Sequence, residues 1–253
     1  MRVLLRAAHA EDAEDTIVVS ALRTPVETDR VSSSVTVLDL DRIEQEQPIA
    51  VSDVLLRTPG ISLTRNGGYG TSTSLRIRGA DAGQAVLVVD GMRLADASTT
   101  DGGADFGNLF ADDIERIEIL RGPQSILWGS NAIGGVVNVR TNRPTAPLEG
   151  RVSIEGGSRN TLNARAGVGG SGKLLDWRIA GSTFTTDGIS ARTSGTERDG
   201  FERQSAMADL IASSTVSANP SIVVCTVDFR PSYRPAAFRV CCELADKPLY
   251  HAS

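Results

Sequence analysis

Gly167-Val168-Gly169-Gly170-Ser171-Gly172-Lys173-Leu174 is the stretch whose residue types come nearest to a chemical motif. It contains G-x-G-x-x-G and G-x-x-x-x-G-K, spacings that let backbone N–H groups cradle phosphates at a helix N-terminus. A phosphate loop also needs Ser or Thr after the Lys to hold Mg²⁺, and Leu stands there. The next residues, Leu175-Asp176-Trp177-Arg178-Ile179, read as a strand leaving a turn. The stretch is expected to be a Gly/Ser hairpin tip, with nucleotide binding through Gly167–Lys173 as the minor alternative.

The remaining candidates for chemistry are sparse. His9 and His251 lie at the two ends, and Cys225, Cys241 and Cys242 in the last stretch, which argues against a metal centre or a Cys/His nucleophile in the body of the chain. A formal net charge of −5 gives no support to nucleic-acid binding. Asp187, Glu197 and Asp199 could offer oxygens to Ca²⁺, but without EF-hand spacing a plain acidic loop is the better reading. No catalytic residue, metal or cofactor is expected, and the chain does not read as an enzyme. Arg78, Glu118 and Arg121 are more informative: they flank or interrupt apolar β runs, where a buried charge is costly unless paired. Two polar stretches, Asn66–Thr73 and Ala95–Phe106, offer hydrogen-bonding groups with Tyr69 and Phe106 as flat apolar surfaces.

The elements that must position these residues are mostly strands. With 25 glycines and 4% aromatic residues, the composition suits a turn-rich β protein. No apolar run approaches the length of a transmembrane helix, and a β-barrel would leave no such signal. Met1–Ala10 has a positive start and an A-x-A-like end, but its apolar run is short for an export signal. Asp15-Thr16-Ile17-Val18-Val19-Ser20-Ala21 is a β-prone segment with free edges, suited to adding itself to a partner's sheet or to serving as a first strand. A short strand at Val35–Leu38 leads to a helix capped by Asp39 or Asp41, and Ser52 is placed to cap a second helix over 53–57. Strands are expected at Ile61–Arg65 and Ser74–Arg78. Ala85–Val89 and Met92–Leu94 flank Asp90-Gly91, a two-residue hairpin signal. Ile114–Leu120 and Gly135–Val139 flank Arg121-Gly122-Pro123 and a short apolar turn, Gln124–Trp128. After Pro144, the segments 151–156, 161–167, 175–184 and 201–210 alternate small or apolar with polar residues between Gly/Ser turns, as transmembrane β-strands do.

In order, LLRTPGI, LRIRG, VLVVDGMRL, IERIEILRGP and WGSNAIGGVVNV resemble the plug domain of TonB-dependent outer-membrane receptors, with Trp128 where the family usually has Tyr. Asp15–Ala21 resembles the TonB box, in the form seen in cobalamin receptors. The resemblance implies an α+β plug, with a small mixed four-stranded sheet and short helices, followed by a few antiparallel barrel-type strands. It implies a ligand surface at Asn66, Tyr69, Thr71, Ser72, Thr73, Ser98, Asp101 and Phe106. It also implies locking contacts to the barrel from Arg78 and Arg121, with Glu118 as their internal partner. The implied partners are the periplasmic C-terminal domain of TonB, the outer membrane, and a scarce nutrient, cobalamin or else a siderophore.

The expected organisation is a leader at 1–14, TonB box and linker at 15–32, plug at 33–143, first barrel strands at 144–210, and an aberrant tail without regular structure at 211–253. A 22-stranded barrel needs roughly 220 residues in strands, so an incomplete barrel is expected, in a chain that does not transport by itself. A soluble β-rich interaction module is the other alternative.

Overall fold

The computed structural model describes residues 18–19, 26–27, 33–96, 99, 101–173, 175–190, 198–212, 222–229 and 239–244. It divides into two compact units, one spanning Ala10–Asn142 and the other taking in Arg143–Ser253.

The first unit opens with β1 (Val18–Val19) paired antiparallel to β2 (Val26–Glu27). β3 (Ser34–Leu38) leads into α1 (Leu40–Glu46), where Asp39 Oδ1 accepts the Arg42 amide at 3.0 Å. Pro48 comes next but one, so the helix cannot continue. In α2 (Val51–Leu56) the N-cap is Ala50, two residues before the expected Ser52. Ser52 is buried, and Asp53 reaches back to accept the Ala50 amide at 3.0 Å. β4 (Ile61–Arg65) and β5 (Thr73–Ile77) form a separate antiparallel hairpin. A 3-10 turn (Ala82–Gln84) delivers β6 (Ala85–Val89). Asp90 and Gly91, at φ 49° and 86°, turn the chain into β7 (Met92–Leu94). Two successive left-handed residues are what a tight hairpin between right-twisted strands needs, and Asp-Gly adopts them at little strain. β8 (Ile114–Arg121), α3 (Ser125–Trp128) and β9 (Gly135–Thr141) complete the unit.

The main sheet has the order β3-β8-β9-β6-β7, with β6 and β9 parallel and the other pairs antiparallel. It has five strands rather than four because β7 folds back onto β6. Both of its faces are covered. Ile117, Ile119, Val137, Leu87 and Phe106 belong to one core, and Val86, Val88, Val136 and Trp128 to a second. Burial on both faces explains why Ala85-Val86-Leu87-Val88 is an unbroken apolar run rather than an alternating one.

The second unit is an antiparallel meander of β10 (Glu149–Gly157), β11 (Thr161–Ser171), β12 (Leu175–Thr186), β13 (Phe201–Ala212), β14 (Ile222–Phe229) and β15 (Arg239–Leu244). Val152, Ile154, Leu162, Val168, Ile179 and Leu210 are exposed, while Ser153, Asn163 and Arg178 are buried. Cross-strand partners such as Val168↔Ile179 and Trp177↔Leu210 put the apolar residues on one face. Among the described residues no helix comes after Lys173. Ser171 pairs with Asp176 across the turn, and Asp176 Oδ1 accepts from the Ser171 hydroxyl at 2.7 Å and the Gly172 amide at 3.2 Å. The glycine-rich stretch is therefore a hairpin end, and the phosphate-loop alternative lacks the helix it requires. The tail expected to lack regular structure contributes β14 and β15. Ile222-Val223-Val224-Cys225-Thr226-Val227 is rich in β-branched residues, and β13 offers it a strand to pair with. Among the described residues no helix is long and apolar enough to cross a membrane.

Candidate functional site

The two polar stretches are the connections β4–β5 and β7–β8, and the fold brings them together. The Phe106 amide donates to the Thr73 carbonyl at 3.0 Å, and Asp105 Oδ1 accepts the Thr73 amide at 2.8 Å. The first loop is braced from below. Arg65 Nη2 donates to Ser52 Oγ at 2.5 Å and to Asp53 Oδ1 at 3.1 Å, while its guanidinium lies 5.3 Å from the centroid of the Tyr69 ring. Tyr69 in turn stands 6.5 Å from the Phe110 ring, and Phe110 bridges to Ala50 ahead of α2. Burial, then the Asp53 carboxylate, pushes the Tyr69 phenol above its usual range, with Arg65 opposing. The second loop is held at its other end. Asn131 Nδ2 donates to the Asp101 carbonyl at 2.9 Å, and the Asp101 side chain lies so close to Gly83 that a Cβ there would stand 2.7 Å from it.

The residues expected to meet a ligand divide accordingly. Asn66, Ser72 and Asp101 are exposed, and Tyr69 and Thr71 are half-buried. Thr73 and Phe106 are each 1% exposed. Phe106 is therefore a core side chain and offers no surface to a ligand, because its own amide ties the loop inward onto Thr73. Ser98 lies outside the described residues. Sequence reasoning missed Asp105, Arg65 and Phe110. An Asp two residues before a Gly, in a loop otherwise read as ligand-facing, was the available signal for the first.

The arginines converge, but Glu118 does not join them. Gly60 lies between Arg121 and Arg78: a Cβ on it would stand 3.6 Å from Arg121 Nε and 3.8 Å from Arg78 Cγ. Arg121 is 8% exposed, its Nε is buried without a hydrogen-bond partner, and its Nη1 reaches only Ser34 Oγ at 3.5 Å. Desolvation, then the like charge of Arg78, lowers the Arg121 pKa. Glu118 is fully buried and accepts from Asn138 Nδ2 at 3.0 Å, with Arg116 at 3.8 Å. Residues 118 and 121 are an odd number apart on one strand, so their side chains leave opposite faces of the sheet. Glu118 as internal partner of Arg121 is thereby corrected.

In the segment expected to be a TonB box, Val18–Val19 is extended and paired with Val26–Glu27, whereas Asp15, Thr16, Ile17, Ser20 and Ala21 lie outside the described residues. In the acidic loop of the second unit, Asp187 Oδ2 accepts from Asn160 at 2.8 Å and Arg198 at 2.9 Å. Among the described residues no cluster of His, Cys, Asp and Glu could hold a metal.

This arrangement of mixed sheet, twin loops and succeeding meander has known counterparts. The family model described as TonB-dependent Receptor Plug Domain matches residues 27–136. The vitamin B12 transporter BtuB of Vibrio vulnificus (strain CMCP6) is 36% identical over 208 residues, which is 79% of this chain and 33% of the transporter. That of Photobacterium profundum is 33% identical over 203 residues, with the same coverage of 79% and 33%. The ferric yersiniabactin uptake receptor FyuA of Yersinia pestis superposes with a TM-score of 0.63 at 19% identity, over 78% of this chain and 31% of that receptor. The chain thus spans about a third of the length of the curated relatives it matches. Residues 27–136 are a TonB-dependent receptor plug domain.

Proposed function

We propose that this chain belongs to an outer-membrane receptor that takes up cobalamin with energy delivered through TonB. The observation that carries the choice of nutrient is the 36% identity to a vitamin B12 transporter across both the plug and the first strands. The paired loops at 66–73 and 95–106 supply the ligand surface, with Asn66, Ser72 and Asp101 as exposed hydrogen-bonding groups and Tyr69 and Thr71 half-exposed beside them. Transport of this kind makes and breaks no covalent bond, so no catalytic residue is assigned.

The segment Asp15–Ala21 serves as the TonB box. An extended strand that binds by main-chain hydrogen bonds must leave its own pairing before it joins a partner's sheet, and among the described residues Val18–Val19 is paired with Val26–Glu27. Ligand binding shifts the population toward the released strand. Arg78 and Arg121 take carboxylates from barrel strands. Support comes from a buried guanidinium nitrogen without an acceptor, beside a second positive charge.

The test uses purified full chain in detergent micelles, carrying Val18→Cys and mixed with the TonB C-terminal domain bearing single cysteines. Disulfide capture should rise with cyanocobalamin and stay flat with a ferric siderophore. Capture that rises only with the siderophore would reassign the nutrient, and no capture under any condition would remove the box assignment.

A further inference from the structure

The two loops of the plug are joined through one carboxylate oxygen. Asp105 Oδ1 accepts the Gly107 amide at 2.9 Å, closing a turn within its own loop, and accepts the Thr73 amide at 2.8 Å from the other loop. The Phe106 amide, between them, donates to the Thr73 carbonyl at 3.0 Å. The junction is tightly closed: a Cβ on Gly107 would collide with the Thr71 carbonyl, so only glycine permits this approach. Thr73 and Phe106 are each 1% exposed and Gly107 is buried, so the donors are shielded while the Asp105 carboxylate that receives them is half-buried. Thr71 then carries the constraint outward, with its carbonyl accepting the Thr73 hydroxyl at 3.0 Å and its own hydroxyl donating to the Gly68 carbonyl at 2.8 Å.

We infer that Asp105 is a positioning residue that locks the loops 66–73 and 95–106 into one recognition surface, which opens and closes as a single body. A nutrient contacting either loop then orders both, because the amides of Thr73 and Gly107 cannot leave the shared acceptor independently without stranding a buried group. This rests on the proposed role of the loops in binding nutrient, while the lock itself is tested without a ligand.

Residue-resolved amide exchange on the purified full chain in detergent micelles provides the test. In the unaltered protein, Thr73, Phe106 and Gly107 should exchange through one opening, with the same rate and the same dependence on urea. Asp105→Ala should speed all three about tenfold or more, since hydrogen bonds to a charged acceptor are the stronger kind. Ile117, Ile119 and Val137 in the core should keep their protection. Asp105→Asn retains an oxygen at the same place but loses the charge, so it should speed the three amides together by less than Asp105→Ala does. The lock is overturned if Asp105→Ala frees Gly107 alone, for then the carboxylate merely closes its own turn. It is overturned equally if Thr73 and Gly107 already open separately in the unaltered chain, a result that needs no variant to fold. Saturating cyanocobalamin should slow the three amides together. If the unaltered chain binds none, the nutrient reading fails while the exchange data still decide the lock.

Discussion

The two units solve opposite solvent problems with the same kind of strand. In the plug, Ile117 and Ile119 of β8 are 0% exposed, and the sheet carries apolar side chains on both faces. In the meander, Ile154 and Leu210 are 51% exposed and Ile179 is 56% exposed, while Asn163 and Arg178 are buried. The buried face of the meander is knitted by polar contacts: the Ser182 and Ser205 hydroxyls lie 2.6 Å apart, and Arg178 faces Asp209 at 3.8 Å. A water-facing sheet would hide Ile179 and expose Arg178. A sheet with its apolar face to lipid and its polar face to a lumen does the reverse. The difference teaches that hydrophobic periodicity reports strandedness in both units, but only the partner layer says which face is the inside.

Four substitutions can break or sharpen this contrast. The largest effect is expected in the plug core. Phe106→Ala should lower plug stability by about 3–5 kcal/mol, read from Trp128 fluorescence during urea unfolding in a Trp177→Phe background. A loss below about 1 kcal/mol would return Phe106 to the ligand surface. Next, Ile179→Lys places a charge on the exposed apolar face. It should leave the plug transition untouched yet weaken insertion into phosphatidylcholine liposomes by about 2–4 kcal/mol, and equal insertion would show that this face does not meet lipid. Third, Asn138→Ala removes the amide that holds the buried Glu118 carboxylate, at an expected loss of about 1–3 kcal/mol. Replacing Glu118 and Asn138 together by Leu should recover most of it if the pair serves specificity rather than stability. Smallest is the titration of Tyr69. Burial and Asp53 raise its folded pKa above the unfolded value, so the stability it contributes is present below about pH 10 and fades as pH rises through the folded value. Asp53→Asn should bring the Tyr69 ring titration, followed by carbon-13 NMR, back toward the ordinary range. A titration unmoved by Asp53→Asn would leave burial as the sole cause.

Most of the fold was legible from local rules. Asp90-Gly91 announced its hairpin because few dipeptides tolerate two left-handed residues, and Pro48 and Pro123 marked places where helix or ladder must stop. The strands after Pro144 were legible from alternation, although β10 to β13 each run longer than the alternating core suggested. Less was legible where bonding is non-local. Ser52 looked like the cap of α2, yet the N-cap is Ala50, whose amide is held by the Asp53 carboxylate that Arg65, 12 residues on, also engages. Phe106 looked like a ligand platform, since nothing in its neighbours shows that its amide bonds to Thr73 across the loop. Ile222–Phe229 fell in a tail read as lacking regular structure because alternation stops there, yet its β-branched residues pair along the edge of β13.

What the sequence determined by itself is the series of strands and turns and the glycine- and proline-marked motifs, because these depend on φ, on missing N–H groups and on periodicity within a few residues. What only the tertiary structure decided is which charges meet. Arg78 and Arg121 converge on Gly60, Glu118 turns away to Asn138, and Asp105 joins two loops. Such pairings depend on strand face and on distances between segments far apart in the chain, 20 positions for Glu118 and Asn138 and 32 for Thr73 and Asp105. Local chemistry carries no record of them until the sheet is built.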